Sequence, residues 1–315
     1  MKPSLASISV SSPSKAKAEA CGKTILIGEH AVIYGARAIA APLTSCKFEA
    51  ELTPLDYKSQ NTLSLGGTKV GDNLIEVIND AFRLLDITPF PVSIKGDTSL
   101  PIGAGLGSSA SLAIVILRMI SQSIGYKLER NQLAKLANSL EERFHGSPSG
   151  LDTHVIAYEQ VISFRKNEAC EILNVAKVGA ESPWRFVLID SGLRSSTKAM
   201  VQTASPYFET RRQYHVDEFD SLADLMQLGL NSGDESKAAE AMKRAATKLE
   251  EAGLVNETLK EIIDGCYQSG LIAAKPTGAG GGGCILALAS NTEYKEQYST
   301  LQNKLSSYRM MEVNI

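Results

Sequence analysis

The chain has 315 residues, 43% of them hydrophobic, and a formal net charge of −3. That length exceeds one typical domain and can bury a sizeable core, and the small acidic excess leaves no basic surplus for nucleic acid or a membrane surface. The five cysteines, Cys21, Cys46, Cys170, Cys266 and Cys284, are scattered and lack a C-x-x-C pair, which argues against a zinc site or disulfide framework and for a reducing cytoplasm.

The start, MKPSLASISVSSPSKAKA, is Ser-rich without the apolar region of a secretory signal, and it reads as a frayed end leading into a first strand. No apolar run approaches the roughly 18 residues of a membrane span. Residues 24–27 (TILI) and 48–52 read as strands. In DNLIEVINDAFRLLD (72–86), Leu74, Ile75, Ile78, Phe82 and Leu85 share one helical face. FPVSIKG (90–96) is a short strand, and helices follow at 109–124 and 131–145. Strands are expected at 161–164 and 185–190, then helices near 218–231, 234–252 and 255–269. The glycine-rich KPTGAGGGGC (275–284) leads into a strand at 284–289 and a last helix near 291–306. This mixture lacks regular βαβ alternation, so the fold class is α+β. The polar stretch 166–183 is the boundary candidate, dividing the chain into domains 1–180 and 181–315.

Four segments carry the chemistry. In PIGAGLGSSAS (101–111), Gly103, Gly105 and Gly107 alternate just before a helix. A bare backbone points N–H groups into one small space, and a helix N-terminus adds positive partial charge, so the segment is a phosphate site. No Lys-Ser/Thr pair ends it, so it is not a Walker A loop. The second loop, Gly278 to Gly283, fits G-x-G-x-x-G as text. The dinucleotide fingerprint needs strand, loop and helix, whereas here the order reads helix, loop, strand. A flexible connection is the alternative, but glycine at that density is entropically costly and is better explained by close backbone approach. The segment EERFHGSPSGLD (141–152) ends a helix on which Leu133, Leu136, Ala137, Leu140 and Phe144 form a narrow apolar arc. At about 100° per residue Glu141 flanks that arc and Glu142 points to water. Gly146, Pro148 and Gly150 then break the helix and aim Asp152. Two acids near a phosphate loop suit magnesium and a proton acceptor, although for any one residue a solvated helix end is the commoner outcome. Finally, Lys23 opens an apolar strand in CGKTILIGEHAVIYG (21–35), with Glu29 and His30 in the turn after Gly28. A lysine there is usually just exposed, and a lone histidine is more often structural. Beside phosphates, such a lysine would stabilise charge in transfer.

Taken in order, these four motifs make the chain resemble the GHMP-superfamily small-molecule kinases, and within them the mevalonate kinases. The run Ala31-Val32-Ile33-Tyr34-Gly35 after Glu-His resembles the mevalonate-kinase form, unlike the acidic, aromatic continuation of galactokinases. The resemblance implies a ribosomal protein S5 domain 2-like N-terminal domain and a ferredoxin-like C-terminal domain, with ATP and mevalonate meeting between them. It implies that Gly103, Ala104, Gly105, Leu106, Gly107, Ser108 and Ser109 cradle the ATP phosphates, that Ser109 and Glu141 hold Mg²⁺, and that Asp152 takes the proton of the primary hydroxyl. Lys23 would lie close to Asp152 and the transferred group. Glu29, His30, Thr197, Gly278, Ala279 and Gly280 would line the acceptor side. A cytoplasmic homodimer is implied, without nucleic-acid or membrane partner. The sequence departs from the family in having Cys21 where proline is common, Ser111 in place of alanine, and Leu112 in place of an aromatic found in some relatives. Alternatives are a related kinase acting on homoserine, a sugar or phosphomevalonate, or a nucleotide-binding regulator without catalysis. Intact Lys23, Glu141 and Asp152 argue against the last.

Overall fold

The computed structural model describes residues 12–145, 148–178 and 183–315. The expected frayed start, Gly146 of the expected helix break, the Phe144 side chain and the expected division between 180 and 181 lie outside the described residues. The chain forms two compact units interleaved in sequence. The first takes residues up to Gly22, Cys46–Pro101 and Gly107–Glu159, and the second takes Lys23–Ser45, Ile102–Leu106 and Gln160–Ile315. Strands β1 (Ala16–Ile27) and β2 (Ala38–Pro54) therefore contribute residues to both.

In the first unit the later half of β2, Phe48–Pro54, pairs antiparallel with β5 (Val92–Thr98), which pairs in parallel with β3 (Thr62–Leu65). β3 closes a hairpin with β4 (Thr68–Lys69). Helices α1 (Asp72–Leu84), α2 (Ser108–Ser123), α3 (Arg130–His145) and α4 (Leu151–Tyr158) complete the unit. α2 is apolar almost all round, with Ala110 to Leu117 buried, as befits a helix packed against both α3 and α4.

In the second unit the start of β2, Ala38–Ala40, pairs with β6 (Ile162–Phe164), which pairs with β7 (Glu171–Ile172). Its other sheet contains β8 (Arg185–Asp190), β9 (Ala273–Thr277), β10 (Cys284–Leu288) and β11 (Arg309–Asn314), ordered β11-β8-β10-β9 and antiparallel throughout. That order is the ferredoxin-like arrangement. Four helices, α5 (Thr197–Thr210), α6 (Arg212–Ser232), α7 (Glu235–Glu251) and α8 (Glu257–Gln268), fill the first crossover, and α9 (Tyr294–Lys304) makes the second. Val187, Ile189, Ile262, Cys266, Ile285 and Leu301 are among the residues of its core. Pro276 lies on the edge strand β9, where a missing N–H costs no ladder bond.

Four expectations are corrected. The glycine loop 278–283 follows a strand, β9, so it closes a hairpin with β10. Lys23 lies inside β1 and does not open it. The segment after Gly150 is the helix α4, opened by Gly150 in a left-handed conformation (φ 93°), and Asp152 is in its first turn. Helix α6 begins at Arg212, not near 218, and α5 precedes it with Pro206 inside.

Candidate active site

The first glycine loop owes its shape to three left-handed residues, Gly103, Gly105 and Gly107, with φ of 71°, 80° and 78°. Gly107 is the N-cap of α2 and has no side chain to satisfy the helix start. The first N–H accepted by the Gly107 carbonyl comes from Ser111, at 2.9 Å, so the N–H groups of Ser108, Ser109 and Ala110 have no intrahelical acceptor. A bare helix start of this kind suits an anion. The Ser111 hydroxyl donates to the carbonyl of Cys21 at 2.7 Å, fixing the helix start to β1.

Glu141, on α3, is 3% exposed, and Glu142 beside it is exposed, as the helical-face reading expects. The Ser109 hydroxyl donates to Glu141 Oε1 at 2.6 Å. A buried carboxylate and a hydroxyl at the start of a phosphate-type loop offer hard oxygens. That fits Mg²⁺, which is bound through one or two carboxylates plus substrate phosphates and water. Among the described residues there is no group of three or more His, Cys, Asp or Glu able to hold a metal by themselves. Asp152 is half-buried in the first turn of α4.

Lys23 and residues 102–106 belong to the second unit. Lys23 is 2% exposed. Its Nζ donates to the Gly105 carbonyl at 2.9 Å and its backbone N–H to the Leu106 carbonyl at 3.0 Å. Arg194 clamps the other side of this segment. Its Nε donates to the Ile102 carbonyl at 2.9 Å, and its two terminal nitrogens grip both oxygens of Asp190, at 2.7 and 2.9 Å. Burial pushes the Asp190 carboxyl up, but the bonds from Arg194 and the Gly192 N–H outweigh it and hold it below the usual range.

The two glycine loops touch. A Cβ added at Gly278 would fall 2.9 Å from Gly105 Cα, and one at Gly283 would fall 2.7 Å from the Ala104 carbonyl oxygen. Close backbone approach, not flexibility, explains the second loop. The Ala279 carbonyl meets His30 Nε2 at 2.7 Å, and the Gly280 carbonyl accepts from Ser195 at 2.6 Å. A carbonyl can only accept, so His30 Nε2 carries the proton and Nδ1 is a bare acceptor. Burial lowers the His30 pKa, against the bond to Ala279, and keeps the ring neutral. Thr197 is the exposed first residue of α5, capped by Ser196.

Sequence reasoning missed Lys275, a fully buried cation on β9 paired with Glu29. Burial pushes Glu29 up and Lys275 down, and each opposes the other's shift. The only local signal is a single Lys in the apolar run LIAAKPTG. The Arg194–Asp190 clamp was missed as well.

The family model of the GHMP kinases N terminal domain matches residues 73–160, and that of the GHMP kinases C terminal matches 223–307, together more than half of the chain. The chain belongs to the GHMP kinases. It is 28% identical over 309 residues to the mevalonate kinase of Pyrococcus furiosus, covering 89% of this chain and 90% of that one. Among solved structures, L. major mevalonate kinase in complex with R-mevalonate superposes with a TM-score of 0.80 at 21% identity, covering 96% of this chain and 97% of that one. Streptococcus pneumoniae phosphomevalonate kinase gives the same TM-score of 0.80 at 17% identity, covering 95% and 99%. The fold is thus common to kinases with different acceptors.

Proposed function

We propose that this protein transfers the γ-phosphoryl group of ATP to the C5 hydroxyl of mevalonate, giving 5-phosphomevalonate for isoprenoid synthesis. The observation that carries the choice of acceptor is the similarity to curated mevalonate kinases along most of the chain, 28% over 89% of it for the Pyrococcus furiosus enzyme. Fold alone does not choose, since a phosphomevalonate kinase superposes equally well.

Phosphoryl transfer needs positioning and charge neutralisation more than covalent chemistry. In this reading, the backbone of Gly103 to Ser109, including Ala104, Leu106 and Ser108, holds the ATP phosphates. Ser109 and Glu141 would hold Mg²⁺, which when bound offsets phosphate charge. Asp152 accepts the proton of the primary hydroxyl as the O–P bond forms, because an alcohol loses it too reluctantly to water at neutral pH. Lys23 stabilises the negative charge that develops. Glu29, His30, Thr197, Gly278, Ala279 and Gly280 receive the acceptor. The enzyme works in the cytoplasm as a homodimer, in keeping with five cysteines that form no disulfide among the described residues for the first and the family resemblance for the second. No described helix is long and apolar enough to cross a membrane.

The test is a panel of acceptors with MgATP, following ADP release and product mass. Mevalonate is expected to have a kcat/KM at least about 100-fold above homoserine, galactose or phosphomevalonate, since a site built for particular polar groups rejects analogues that leave them unpaired. Comparable turnover of any rival would overturn the reading.

A further inference from the structure

Within the second unit, Lys275 and Glu29 form an ion pair whose side chains are both fully buried, 246 residues apart in sequence. Lys275 Nζ also donates to the carbonyls of Pro276, at 2.8 Å, and Ile25, at 3.2 Å. An ammonium donates all three of its N–H bonds to these three acceptors, one of them the Glu29 carboxylate. Only Oε1 is engaged. Glu29 Oε2 is buried with no hydrogen-bond partner among the described residues, and so is Nδ1 of the adjacent His30. Each residue of this pair gives one polar atom to the protein and leaves one. Buried polar atoms without partners are rare and costly. A purely structural link would not need an ionised pair, because desolvating two charges costs more than packing neutral groups.

We propose that Lys275 is a positioning residue. It keeps Glu29 ionised and turned so that Oε2 accepts a hydrogen bond from a hydroxyl of the phosphoryl acceptor. This rests on the function proposed above. The neighbouring His30 Nδ1 has the same polarity. Two adjacent acceptors call for donors, so this part of the site takes hydroxyl groups and excludes a carboxylate or phosphate. Thr277, two residues from Lys275 on the same side of β9, meets the Thr24 hydroxyl at 3.1 Å and accepts from the Ile25 N–H at 2.9 Å. These bonds fix β9 against the strand that leads to Glu29.

The experiment compares Glu29→Gln, Lys275→Met and the double variant by thermal unfolding and by separate KM values for acceptor and MgATP. It uses whichever acceptor the wild type phosphorylates, so a failure of mevalonate itself counts against the proposed function and leaves this test standing. In Glu29→Gln the amide oxygen still accepts from Lys275, but an NH₂ donor stands where Oε2 stood. Lys275→Met leaves a buried carboxylate unpaired and should lower Tm sharply. The double variant removes both charges and should recover much of that loss. Acceptor KM should nevertheless rise at least about 10-fold in all three, as expected when a site's polar match is lost. KM for MgATP should stay within about threefold, and kcat at saturating acceptor should fall less than KM rises. If acceptor KM returns to the wild-type value along with Tm in the double variant, or is unchanged in Glu29→Gln, the pair is only structural and the proposal is wrong. Should Lys275→Met fail to fold, the other two variants decide.

Discussion

Glu29 and Glu141 are both withdrawn from water, 1% and 3% exposed, yet they are held in opposite ways. Glu29 faces an ammonium that neutralises it, in a setting fixed by three hydrogen bonds donated by Lys275 Nζ. Glu141 has a hydroxyl, Ser109, at 2.6 Å. A buried carboxylate with a resident cation is a finished pair that can only offer a spare oxygen. A hydroxyl donor such as Ser109 leaves the charge of a carboxylate in place, which is what the proposed Mg²⁺ role of Glu141 asks of it. Burial alone does not reveal which of these a glutamate is; the partner does.

The comparison extends to the third acid. Asp152 is half-buried at the start of α4, open enough to meet a substrate proton. Asp152→Asn keeps the size and shape of the side chain but removes the base. It should lower kcat by roughly 10²–10⁴, the usual range for a general base, while MgATP still binds by calorimetry. A variant retaining more than about a tenth of wild-type kcat would leave positioning as the source of catalysis and remove Asp152 from the proton path.

Glu141→Gln tests the metal half of the contrast. The amide oxygen can still accept from Ser109. Under the proposed role, activity should fall on the order of 100-fold and the Mg²⁺ concentration for half-maximal rate should rise, as for the loss of a charged oxygen ligand. An unchanged Mg²⁺ requirement would make Glu141 a structural partner of Ser109 and erase its difference from Glu29.

Much of this was legible locally. The α+β class, the helices α1, α2 and α3, the strand β8 and both glycine loops follow from periodicity and glycine spacing. The loss came where the cause was distant. Strand β1 is longer than expected because its first residues alternate, with Lys17 and Glu19 exposed, before Ala20 begins a run buried on both sides. That change of pattern hides one strand as two segments. Helix α4 has eight residues and a glycine cap after Pro148, so its sequence reads as a break. The strand β11, RMMEVN, has little alternation of its own and is held by pairing to β8. Lys275 could not be found from its neighbours because the carboxylate that makes its burial tolerable lies 246 residues away.

The smallest expected effect is also the sharpest control on the helical-face argument. Glu142 adjoins Glu141 in sequence and has the same chemistry, but the 100° step of the helix turns it to solvent, and it is exposed. An exposed position away from packing or buried polar groups usually alters stability by no more than about 0.5 kcal/mol. Glu142→Gln should therefore leave kcat, both KM values and the Mg²⁺ requirement within about threefold of wild type. The measurement is the Mg²⁺ titration used for Glu141→Gln, run on both proteins under the same conditions. If both variants lose activity together, the effect is a general loss of negative charge near the phosphates and not loss of one ligand. If only Glu141→Gln loses it, a single turn of α3 has separated a metal ligand from a solvated surface acid.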